Sequence, residues 1–304
     1  MPPELSDLTD QIALDPKQFI GIPIALVGAV FLSLGAQFQH RGVAKVELQT
    51  HDAVKGLSAR QMFALLGRPS WVIGTLMLGL AIVMQLTSLG FSPIIVVQPL
   101  GAVALVITSI LNSRLSKVKL NRNSVISIML CVGGVGAFVL VAAFTARDKP
   151  VTTRDLVIIL IVLAVVLAIT AVLFIMAGKK FKAIAYIIGA GVLYGFVATL
   201  AKVVISRVLQ GDVGWLTILC VIGLLAAAGL GGYFVQNAYA SGPPDLVIAG
   251  LTVVDPLVAV GIGIIVLGEA SQAPAWAGIA FVLAGVVAIL GVFGLARFHP
   301  QAQH

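Results

Sequence analysis

The sequence predicts an all-α integral membrane protein of nine transmembrane helices, or ten if one ambiguous linker enters the bilayer, arranged as two inverted four-helix repeats around a central helix. Three observations carry that prediction. Of the 304 residues, 60% are hydrophobic and only 10% charged, with a mean hydropathy of +1.10, far from the balance of soluble globular chains. Nine apolar runs reach the roughly 18 residues that a helix needs to cross hydrocarbon. Finally, the octapeptide VVQPLGAV at 96–103 returns as VVDPLVAV at 253–260, each copy inside such a run.

Each run has its own justification. The first, 19–38, follows an acidic segment, 1–18, where a secretory signal would place bases, so it reads as a retained helix. The linker 39–69 contains SARQMFALLGR, in which Met62, Phe63, Leu65 and Leu66 sit between Arg60 and Arg68. That apolar stretch is too short to span, and it predicts an interfacial amphipathic helix; insertion of the same segment would give the ten-span variant. The runs 70–90, 93–111 (with the first octapeptide) and 124–144 complete a first unit, 19–144. A central run, 156–178, lies in a segment bounded by 145 and 182. The second unit, 183–297, holds the runs 183–207, 214–237, 245–267 (with the second octapeptide) and 275–296, and a short tail, 298–304, follows.

With nine spans the two termini lie on opposite faces, so every loop can be assigned to one of them. Thirteen of the 19 Lys and Arg residues fall on the C-terminal face, in the groups Arg41 to Arg68, Arg114 to Arg122, Lys179 to Lys182 and at Arg297; five fall on the other. Cytoplasmic loops carry the excess of bases. The expected location is therefore the cytoplasmic membrane, with the N-terminus outside and the C-terminus inside. The net charge of +7 belongs to these short loops, which suits lipid headgroups and not nucleic acid. Cys131 and Cys220 lie inside apolar runs without metal-ligand or disulfide spacing, and no cofactor is implied.

The repeat extends beyond the octapeptides. Trp71 opens a helix ahead of Pro99, and Trp215 opens one ahead of Pro256. GAVFLSLGAQFQHRGV in the first run matches GVLYGFVATLAKVV in the sixth, pairing His40 with Lys202, and VGGVGA near Gly134 matches LAGVVA near Gly285. Two units joined directly would insert with the same orientation; one extra crossing inverts the second. The loop after the first octapeptide helix is basic, whereas GEASQAPAW after the second has no base and carries Glu269. Inverted repeats are a recurring plan of secondary transporters, in which exchange of the conformations of two similar halves moves the opening from one face to the other.

VVQPLGAVALVITSILNSRL, GVLYGFVATLAK and AYASGPPDLVIAGLTVVDPLVAVGIGIIVLGEA resemble the drug/metabolite transporter superfamily, particularly its EamA-like and NIPA-like branches, over residues 19 to 296. Each four-helix unit is also similar to a small multidrug resistance protein, whose members work as antiparallel pairs. The resemblance implies a multi-pass transporter of small solutes. It departs from the small multidrug resistance pattern at the membrane-embedded glutamate, where this chain has Leu32 and Tyr194.

Several residues are candidates for the transport site. Proline lacks an N–H and clashes with the carbonyl four residues back, so Pro99 and Pro256 are expected to break their helices and free the carbonyls of Ile95 and Thr252. In hydrocarbon those groups need protein or water partners, which turns both octapeptides toward the interior. Asp255 is the one carboxylate placed deep in a span. A charge at the bilayer centre costs at least about 2.5 kcal/mol, so it demands a partner such as Lys202, a proton or a ligand. Lys202, late in its helix, can equally snorkel to the interface, and Glu269 reads as interfacial. Gln85, Gln98, Tyr194, Tyr233, Gln236 and Asn237 can all be explained by interhelical hydrogen bonds, while Gln98, Tyr194 and Tyr233 could line a cavity with Asp255. Gly191 and Gly195 have the spacing of a close helix contact.

The expected function is transport of a small organic solute or metabolite by alternating access. The expected partners are that solute and membrane lipids, with a homodimer left open. Alternatives from the same sequence are magnesium or another divalent cation, suggested by the NIPA-like pattern, flipping of a lipid-linked sugar, and a membrane scaffold that transports nothing. No nucleophile–base constellation, metal cluster or phosphate-binding glycine loop points to an enzyme.

Overall fold

The computed structural model describes residues 19–50, 67–115, 121–177, 183–241 and 244–298. Among them lie nine helices: α1 (Gly21–Thr50), α2 (Pro69–Phe91), α3 (Ile94–Leu115), α4 (Arg122–Thr145), α5 (Thr153–Ala177), α6 (Ala183–Leu209), α7 (Trp215–Ser241), α8 (Pro244–Ile265) and α9 (Ala275–Phe298). All nine contain a window long and apolar enough to cross a membrane, and the chain is a multi-pass α-helical membrane protein. The boundaries have local causes. Pro69 opens α2 at a position where no N–H is needed, and the Asn121 side chain caps α4 by accepting from Ser124 N at 2.7 Å. At the start of α5, Thr152 and Asp155 form a reciprocal capping box, Thr152 N donating to Asp155 Oδ2 at 2.8 Å and Asp155 N to Thr152 Oγ1 at 3.4 Å.

Helix α1 departs from the sequence reading. It continues as far as Thr50, through residues assigned above to the linker, although its membrane-crossing window ends at Gln39. The segment proposed to be interfacial, from 58 to 66, lies outside the described residues, as do the basic residues Lys117, Lys119 and Lys179 to Lys182.

Helix α1 packs on α2 and α3, α3 packs on α4, and the same pairings recur in the second half, where α6 packs on α7 and α8, and α8 on α9. The halves meet along α3 against α8 and along α4 against α9, while α5 lies outside, against α6 and α7. The α4–α9 seam is closely packed. A Cβ at Gly134 would lie 2.8 Å from the Ala284 carbonyl oxygen, so only glycine lets the two backbones approach that closely. Without a hydrophobic drive between helices in lipid, such small-residue packing is what holds membrane helices together. Large apolar side chains such as Leu76, Leu225 and Ile265 are exposed on the outside, as a hydrocarbon surround requires.

Candidate functional site

The site begins with the contact between α6 and α8. A Cβ at Gly195 would lie 2.7 Å from Val258 Cβ and 3.0 Å from the Asp255 carbonyl oxygen, and one at Gly191 would lie 2.6 Å from Val254 Cβ. The GVLYG spacing therefore sets α6 directly against the octapeptide of α8. Asp255 turns from that contact into a cavity of about 770 Å³, which Gln85, Gln98, Tyr194, Tyr239, Thr252 and Pro256 also line. The cavity draws walls from α1, α2 and α3 on one side and from α6, α7 and α8 on the other, with Ala29 and Leu32 forming part of the α1 wall.

Asp255 Oδ1 is buried and has no hydrogen-bond partner. Gln98, 6% exposed, reaches the same space from the matching position of α3. On the far side of these helices, toward α4 and α9, Pro99 and Pro256 share a second, apolar pocket of about 80 Å³ with Val135, Phe138 and Gly285. Neither proline breaks its helix. Both α3 and α8 run through them, because each proline removes a single N–H and its neighbours keep their own bonds. The expected interruptions are thus reduced to one missing backbone bond apiece.

The structure brings together Asp255, Gln98 and Tyr194, with Pro256 beside them. Lys202 and Tyr233 are not on the cavity wall. Tyr233 is half exposed on the outside of α7. Lys202, 1% exposed, directs its ammonium to the carbonyls of Leu89 (2.8 Å) and Ser92 (3.0 Å) and to Asp148 Oδ2 (2.8 Å). Its ion-pair partner is therefore Asp148, on the α4–α5 connection, and not Asp255.

Glu269, expected at an interface, is 2% exposed and accepts from Ile94 N at 2.8 Å and Ile95 N at 2.9 Å. Burial pushes its carboxyl up to about 7, against the downward pull of Lys202 and the two backbone N–H groups, while Asp148 adds to the rise. Sequence reasoning passed over Asp148 and Tyr239. A signal for Asp148 existed: with Glu269 it is an acid in loops of the same face toward which Lys202 points. Tyr239, a polar aromatic near the end of an apolar run, resembles Tyr194 in kind and could have been grouped with it.

Three comparisons bear on what the cavity serves. The family model described as magnesium transporter NIPA matches residues 16–299. An uncharacterized protein of Corynebacterium glutamicum is 28% identical over 287 residues, which cover 92% of this chain and 96% of that one. No solved structure matches.

Proposed function

Because the chain belongs to the NIPA family of magnesium transporters, we propose that it is an alternating-access carrier for a cation, with Asp255 holding the cargo's charge. One observation carries this reading: a buried carboxylate oxygen without a hydrogen-bond partner, on a residue lining a large cavity between the two halves. A buried polar atom left unsatisfied costs free energy, and an arriving cation would recover it. The family makes magnesium the first cargo to test. No group of three His, Cys, Asp or Glu side chains converges among the described residues, so the ion would keep most of its water, as magnesium does. Asp255, Gln98 and Gln85 would then bind it through that water.

The two halves are read as inverted repeats that exchange conformations, supported by the recurrence of the same helix pairings in each. The N-terminus is placed outside and the C-terminus in the cytoplasm on the loop charges. A second reading, an organic cation, is favoured by the size of the cavity and by Tyr194 and Tyr239 beside Asp255, since aromatic faces attract desolvated cations.

The test is flux into proteoliposomes containing a magnesium-sensitive dye, with tetraethylammonium flux measured in parallel. Magnesium entry that disappears in Asp255→Asn supports the first reading, and tetraethylammonium entry with the same dependence supports the second. Flux of either ion that ignores Asp255→Asn would remove Asp255 from the mechanism.

A further inference from the structure

The α2–α3 corner, Ser92 and Pro93, is held from both sides by the second half of the molecule. Lys202 of α6 takes the carbonyls of Leu89 and Ser92 where α2 ends. Glu269 of the α8–α9 connection takes the N–H groups of Ile94 and Ile95 where α3 begins. The signs fit the helix ends: the negative pole at the C-terminus of α2 meets an ammonium, and the positive pole at the N-terminus of α3 meets a carboxylate. The α4–α5 connection completes the arrangement, with Asp148 on Lys202 and Arg147 N donating to the Glu269 carbonyl at 2.8 Å.

Among the described residues, the opposite end of the molecule shows no counterpart. Helix α2 packs on α6, and the inverted repeat pairs that contact with one between α7 and α1; those two make no comparable contact among the described residues. The connection after α3, which corresponds to the one bearing Glu269, reads LNSRLSKVKLNR and contains no carboxylate. Resting on the transport reading above, we propose that Lys202 and Glu269 are the gate of this end: together they hold the α2–α3 corner shut over the cavity, and the cavity opens to this face only when both let go. Opening must strip a buried ammonium and a buried carboxyl group of their hydrogen-bond partners together. The gate is therefore cooperative, and loss of either grip loosens the whole corner.

The test reads access without reference to cargo. In a Cys131→Ala, Cys220→Ala background, Ala29→Cys places a thiol on the cavity wall, and a membrane-impermeant maleimide is applied to each face of oriented proteoliposomes. The unmodified gate should give labelling from the basic face and little from the gate face. Lys202→Met and Glu269→Ala should each raise gate-face labelling tenfold or more. A second measurement leaves the gate residues intact: a Cβ at Gly90 lies 3.4 Å from Ile205 Cγ2, so Gly90→Cys with Ile205→Cys can be oxidised to staple α2 to α6. The staple should stop flux until it is reduced.

Fast gate-face labelling of the unmodified gate, unchanged labelling in both gate variants while they remain folded, or undiminished flux through the oxidised staple would each overturn the proposal. Because labelling needs no cargo, a protein whose labelling responds as expected but that moves neither test ion would contradict the transport reading alone.

Discussion

Asp255 and Gln98 occupy matched positions of two proline-containing helices and line the same cavity from opposite halves of the chain. The backbone plan is shared and the charge is not. Replacing Asp255 with Gln should lower transport at least tenfold, because hydrogen bonds to a charged group contribute about 1.5–3 kcal/mol. If the charge matters more than its side, the exchange Gln98→Asp with Asp255→Gln should recover part of the flux, as measured by initial rates in proteoliposomes.

Gly195 fixes how close α6 comes to α8. A methyl there meets Val258 Cβ and the Asp255 carbonyl oxygen, and overpacking of this kind costs about 1–3 kcal/mol. Gly195→Ala should therefore lower the melting temperature and displace Asp255, reducing transport. Adding Val258→Ala should restore much of the melting temperature, as read by thermal unfolding in detergent.

Lys202 and Asp148 are unequal partners. The lysine is buried and the aspartate is 36% exposed, so water can replace the ammonium at Asp148 but cannot reach the carbonyls of Leu89 and Ser92. Leaving buried acceptors unsatisfied costs about 1–3 kcal/mol, whereas a half-exposed ion pair contributes less than about 1 kcal/mol. Thermal unfolding should show Lys202→Met to be clearly more damaging than Asp148→Asn.

Burial pushes the Glu269 carboxyl up to about 7 where an ordinary glutamate has 4.5. Lys202 from α6 lowers it and Asp148 from the α4–α5 connection raises it; Arg207 is paired with Asp212, and Lys149 with Ser271. A carboxyl raised in the closed arrangement binds its proton more tightly there than in any arrangement that exposes it to water. Its contribution to closure is complete below about 4.5 and is lost as pH rises through about 7. Gate-face labelling of Ala29→Cys, normalised to an exposed Val213→Cys control, should rise between those values and then level off.

Much of the fold could be read directly, because a span announces itself through twenty or so apolar residues and needs no knowledge of its neighbours. Asp255 was legible for the same reason: a carboxylate in hydrocarbon is conspicuous on its own. Lys202 was conspicuous too, but its role depends on partners 54 and 110 or more residues away, and nothing local distinguishes a lysine reaching for lipid from one reaching for carbonyls. Glu269 in a short polar connection looked ordinary until the start of α3 was placed against it. The prolines misled in the other direction. Their cost was read as a break, although a helix packed on several sides absorbs one missing bond.

The seam between α4 and α9 bears on how the protein is made. Gly134 and the Ala284 carbonyl that it packs against are well separated in synthesis, and at about 5–20 residues per second the first waits roughly 8 to 30 seconds for the second. During that time a stripe of small residues on α4, formed by Ser127, Cys131 and Gly134, lies beside lipid or an insertion chaperone without its mate. Chains cut short before α9 would keep that stripe exposed for good, which offers cellular quality control a simple mark of an unfinished molecule.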